Sequence, residues 1–105
     1  MRQITGLKDI TSGKKGVVAY FYNTSCSSCE VLRPKIRAMV NKSFPKIEFE
    51  EINAQEYPGI TAEAAVYASP TIIVYFEGKE SIRESRYISV QQLEEKIERY
   101  YNMLF

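Results

Sequence analysis

Apolar residues fall along this chain in two rhythms. Val17–Tyr22 (VVAYFY) and Pro70–Phe76 (PTIIVYF) are nearly continuous runs of β-branched and aromatic residues. Such runs predict strands covered on both faces, as the inner strands of a layered sheet are. Ile47–Ile52 (IEFEEI) predicts a further strand, in which alternation puts Glu51 on the apolar face with Ile47 and Phe49, away from Glu48 and Glu50. Between the first two strands, Val31, Leu32, Ile36, Met39 and Val40 recur at the helical period. They predict a helix with Pro34 inside it, where the missing backbone donor should introduce a kink.

The remaining segments complete the order. Leu7–Thr11 predicts a short first helix, and Gly13 and Gly16 frame the turn after it. The small polar residues of NTSCSSC (Asn23–Cys29) suit the start of the second helix. Tyr57–Ala68 carries a short helix after Pro58-Gly59, and Glu77–Glu80 (EGKE) predicts a hairpin turn into Ser81–Ile88. Ser89–Gln92 (SVQQ) fits a capping box and opens a closing helix whose apolar stripe is Val90, Leu93, Ile97, Tyr101 and Leu104. That order predicts an α/β fold, a central mixed sheet of four to five strands with helices on both faces.

Composition narrows the function more than the fold. At 105 residues, with no repeat, linker or low-complexity segment, the expectation is one domain over 1–105 and a monomer. Fourteen basic against thirteen acidic side chains leave a net charge of +1, which gives no support to a nucleic-acid surface or an acidic substrate. The first residues hold no apolar run of signal-peptide length, and the longest apolar stretches are strand-sized. No membrane partner is therefore expected, and the expected compartment is the cytoplasm, where thiols are mostly kept reduced.

Cys26 and Cys29 are the only cysteines, three apart, at the junction between a buried strand and a helix. The thiolate is the nucleophile in disulfide exchange, and a helix N-terminus stabilises it with unpaired N–H groups and the positive end of the helix dipole. Two intervening residues in the first turn bring Cys29 beneath Cys26, close enough for a small-ring disulfide. Cys26 is then the exposed attacking sulfur and Cys29 the resolving one. Two other readings compete. A structural zinc site needs four ligands, and with no histidine it would have to borrow carboxylates or a second chain. Alternatively, the cysteines pack as small hydrophobes.

The chain resembles the thioredoxin family over nearly its whole length. The resemblance rests on the strand–CxxC–helix unit, on Pro34 five residues after Cys29, on ASPTIIVYF (Ala68–Phe76), and on the Tyr57-Pro58-Gly59 and EGKE turns. It implies that Pro70 follows a cis peptide bond and faces Cys26, and that the Ser69 backbone pairs with an extended substrate strand. It also exposes three departures. Ser25 stands where members usually have tryptophan, Ser27-Ser28 where they have glycine-proline, and Tyr20 where they have a buried aspartate. Aligned without gaps, Glu51 occupies the position where the family often has a lysine beside that aspartate. It is the expected proton relay for Cys29, with Tyr20 or water between.

The resemblance implies a thiol–disulfide oxidoreductase that needs no cofactor. It would reduce disulfide-containing protein substrates through a mixed disulfide at Cys26, resolved by Cys29, and be re-reduced by a reductase or another electron donor. Ser25, Ser69 and Pro70 would contact the substrate. The alternative is a binding or adaptor module of the same fold with little turnover.

Overall fold

A computed structural model describes residues 6–105. The expected domain of residues 1–105 begins five residues earlier, outside the described residues. The elements run α1 (Lys8–Thr11), β1 (Gly16–Tyr22), α2 (Ser27–Ser43), β2 (Glu48–Asn53), α3 (Pro58–Glu63), β3 (Thr71–Phe76), β4 (Lys79–Ser85) and α4 (Val90–Leu104). The four strands lie in the order β2-β1-β3-β4, with β1 parallel to β2, antiparallel to β3, and β3 antiparallel to β4. Four strands form the sheet among the described residues, at the lower end of the expected range.

The two inner strands are buried almost end to end, as their unbroken apolar runs require. Alternation sorts their side chains between two cores. Val18, Tyr20, Ile72 and Val74 face α2 and α4, where they meet Ile36, Val40, Leu93 and Ile97. Val17, Ala19, Phe21, Ile73 and Tyr75 face α1 and α3, against Ile10 and Ile60. Helices thus cover both faces of a mixed sheet.

Local chemistry accounts for the joints. Glu77 and Gly78 form the two-residue loop between β3 and β4 with φ of 53° and 82°. Two positive φ values match the right-handed twist of a hairpin, and glycine takes the second without strain. At Gly16 a Cβ would stand 3.0 Å from the Ile47 side chain and 3.3 Å from that of Phe105, so glycine lets these side chains close on the start of β1 without being displaced. Helix α2 continues through Pro34, which lies on its exposed side. Val31 is 62 % exposed, against the expectation that it belongs to the buried stripe. At 100° per residue it falls outside the arc carrying Cys29, Leu32, Ile36, Met39 and Val40.

Candidate active site

β1 ends at Tyr22, and the loop 23–26 delivers the chain to α2. Asn23 shapes this loop: its Oδ1 accepts from the Ser25 backbone N–H and from the Ser25 hydroxyl, both at 3.1 Å. This Asx turn orients the chain for the helix start. Cys26 is the N-cap residue of α2, with extended φ and ψ of −91° and 98°. Its Sγ accepts from the Cys29 N–H at 3.2 Å and lies 3.4 Å from the Ser28 hydroxyl. Sulfur thus takes the place that serine or aspartate oxygen takes in ordinary caps, facing the free N–H groups of a 17-residue helix.

The two cysteines form a disulfide across a Cα–Cα distance of 5.3 Å. Cys26 is half-buried, while Cys29 is fully buried under the helix. Cys26 is thus the more accessible of the two cysteines. Among the described residues no group of three His, Cys, Asp or Glu side chains converges to hold a metal ion.

The Ser69–Pro70 peptide is cis, and Pro70 lines the same clefts as Ser28, one of the two residues between Cys26 and Cys29 in sequence. Asn23 Nδ2 donates to Ser69 Oγ at 3.2 Å, tying the cysteine loop to the proline loop across 46 residues. The Ser69 backbone N–H and C=O have no backbone partner among the described residues.

A model of the thioredoxin family matches residues 7–99. The chain belongs to the thioredoxin family. Its relatives include a thioredoxin-like protein of Bacillus subtilis, YdfQ, 27 % identical over 98 % of this chain and 96 % of that protein. They also include a thioredoxin of Mycoplasma genitalium, 28 % identical over 79 % of this chain and 80 % of the other. Thioredoxin 1 of Thermosipho africanus superposes with a TM-score of 0.76 at 31 % identity, covering 83 % of this chain and 96 % of its own. Members of the thioredoxin family are in general thiol–disulfide oxidoreductases acting on disulfide-containing proteins.

The thioredoxin pattern departs at Tyr20 and Glu51, and the structure shows what each does. Tyr20 is fully buried, and its hydroxyl donates to the Cys29 carbonyl oxygen at 2.9 Å. Burial pushes its pKa up to about 12 despite the opposing pull of Arg33, while Glu30 and Glu51 add to the rise. Tyr20 thus braces Cys29 as a neutral donor.

Glu51 pairs in register with Tyr20 on the neighbouring strand. Its carboxylate goes to the guanidinium groups of Arg33, at 3.3 Å, and Arg37, rather than to a sulfur. Arg33 also pairs with Glu30 at 2.5 Å and lies 4.3 Å from the centre of the Tyr22 ring. Glu50, on the opposite face of β2, has a more enclosed side chain than Glu51, 15 % against 28 % exposed, and pairs with Lys14 at 3.1 Å. Lys14, from the segment after α1, reaches this face of β2 and also lies 3.4 Å from Glu48.

Asn23, Arg33 and Arg37 are the site residues the sequence pattern did not single out. Asn23 carried a legible signal, an asparagine between a strand and a helix start. The two arginines read as ordinary helix surface.

Proposed function

We propose that this protein reduces disulfides in partner proteins, with Cys26 as nucleophile and Cys29 as resolving thiol. The observation that carries the reading is the seat of Cys26 Sγ at the N-cap of α2 with Cys29 buried behind it. In the reduced protein the Cys26 thiolate attacks one sulfur of the partner disulfide. A Cys26–partner disulfide forms as the partner's own S–S bond breaks, releasing one partner thiolate. Cys29 then loses its proton and attacks Cys26 Sγ, closing the Cys26–Cys29 bond and releasing the second partner thiol. Two electrons and two protons pass to the partner, and an external dithiol or reductase restores the pair.

In this reading Ser69 and Pro70 hold the substrate backbone beside Cys26, and Ser25 forms part of the contact rim where family members usually carry tryptophan. The Glu51 carboxylate and the Tyr20 hydroxyl are both engaged elsewhere, so water takes the Cys29 proton. The setting that suits this chemistry is a reducing compartment such as the cytoplasm. No helix among the described residues is long and apolar enough to cross a bilayer.

The test is trapping and labelling. Alkylation of the reduced protein near neutral pH should modify Cys26 well before Cys29, Cys26→Ser should abolish reduction of a disulfide substrate, and Cys29→Ser should accumulate covalent complexes through Cys26. Equal labelling of the two thiols, or full activity in Cys26→Ser, would overturn the assignment. A correctly folded wild type that binds partners without any exchange would leave the adaptor reading in its place.

A further inference from the structure

Two adjoining clefts open beside the disulfide and share Ser28, Pro70 and Arg86. Tyr67 and Tyr87 wall one of them, and Val31 and Lys35 the other. The two tyrosines are 89 % and 98 % exposed and Val31 is 62 % exposed. Large apolar side chains left in water together, beside a reactive sulfur, mark a contact surface rather than scattered surface residues.

The charges of this groove are one-sided. Arg86 and Lys35 line it, and no aspartate or glutamate does. Neither cation has a carboxylate partner among the described residues, whereas Arg33, Arg37, Arg83 and Lys96 each have one. The chain's net charge of +1 conceals this local imbalance.

Arg86 is also held in an unusual way. Its φ is 65°, the left-handed region that long side chains seldom occupy, and its N–H donates to the Pro70 carbonyl oxygen at 2.9 Å. That hydrogen bond ties Arg86 to the proline loop and keeps its backbone beside the clefts.

We infer that the groove selects partners whose disulfide lies in an extended, acidic segment, with Arg86 as the principal specificity-determining residue. Carboxylates flanking the attacked cystine pair with Arg86 and Lys35, while Tyr67 and Tyr87 cover the peptide's face and the free Ser69 backbone groups receive its main chain. Exposed cations of this kind steer association and discriminate against uncharged or basic segments, and their effect weakens with salt. The inference rests on the oxidoreductase reading and names its substrate class.

The experiment uses two synthetic peptides of equal length, each closed by one intramolecular disulfide, carrying either Glu or Gln beside the cysteines. Each is mixed with the reduced protein, so that two electrons and two protons pass from Cys26 and Cys29 to the peptide. The exchange is followed by acid quench, thiol alkylation and mass measurement. At low ionic strength the Glu peptide should react roughly fivefold faster, the size expected of a pair of exposed ion pairs, and the advantage should shrink as salt is added. Arg86→Gly, which relaxes the backbone, and Arg86→Gln, which keeps the bulk, should both bring the ratio close to one.

A ratio of one in the wild type, or Arg86 variants that slow both peptides alike, would overturn the inference. Should neither peptide exchange, the oxidoreductase reading falls instead, and the groove is judged by NMR titration of the oxidised protein with serine-substituted, disulfide-free peptides. A Glu preference at Tyr67 and Tyr87 then supports the groove. Equal or absent binding, or shifts that follow protein concentration and so report a second copy seated there, overturns it.

Discussion

The hydroxyl of Tyr20 donates to the Cys29 carbonyl oxygen, whereas that of Tyr75 is buried with no hydrogen-bond partner among the described residues. A buried hydroxyl that has found a partner contributes about 1 kcal/mol net, while an unpartnered one carries its desolvation cost with no return. Tyr20→Phe should therefore destabilise the oxidised protein by about 1 kcal/mol, and Tyr75→Phe should be neutral or slightly stabilising. Denaturant midpoints of the two variants against wild type check this. Glu51 offers a second residue-level test. Because its carboxylate is engaged by Arg33 and Arg37, Glu51→Gln should leave the pH profile of mixed-disulfide resolution in place while loosening the α2–β2 contact. A profile displaced by a full unit would restore Glu51 as the proton acceptor.

Among the elements, α2 and α4 begin with the same device and differ in what supplies it. Ser89 Oγ accepts from the Gln92 N–H at 3.2 Å at the head of α4, as Cys26 Sγ accepts from Cys29 N–H at the head of α2. The serine cap serves stability alone: Leu93 and Ile97, buried from the first turns of α4, depend on the helix starting there. Ser89→Ala should cost about 1 kcal/mol, seen as a lower melting temperature with no change in the alkylation rate of Cys26. In the proposed reading the sulfur cap also serves reactivity, since the N–H groups that fix the helix start are the ones that stabilise a thiolate.

For the whole molecule, the two inner faces of the sheet set the response to alkaline pH. Burial raises the pKa of Tyr20, on one face, and of Tyr75, on the other, from 10.0 to about 12. Around Tyr75, Glu80 and Glu63 reinforce the rise and Arg83 opposes it. The folded protein therefore holds these protons more tightly than the unfolded chain does. Their contribution is fully present below pH 10 and is lost as pH climbs from about 10 through about 12, because the unfolded state binds fewer protons in that range. Two units on one tyrosine correspond to roughly 2–3 kcal/mol. Stability measured by denaturant should fall steeply above pH 10, and replacing either tyrosine by phenylalanine should flatten the slope. An identical slope in both variants would show that other groups govern the loss.

What the sequence by itself determined was what local periodicity can carry. The unbroken runs at Val17–Tyr22 and Thr71–Phe76, the stripe through Ile36, Met39 and Val40, the SVQQ cap and the EGKE hairpin each specify their element through neighbours a few residues away. The CxxC at a strand–helix junction belongs to the same class, because capping and the spacing of the two sulfurs are settled within one helical turn. Tertiary structure decided where these elements meet. Asn23 reaches Ser69 across 46 residues, Arg33 and Arg37 take up the carboxylate of Glu51, and Arg86 comes to line the groove beside Ser28 and Pro70. It also decided that Val31, apolar and inside a helical run, is turned to that groove rather than to the core. Contacts between residues distant in sequence depend on how strands pair and how helices settle on the sheet, and no local pattern of apolar and polar positions records that packing.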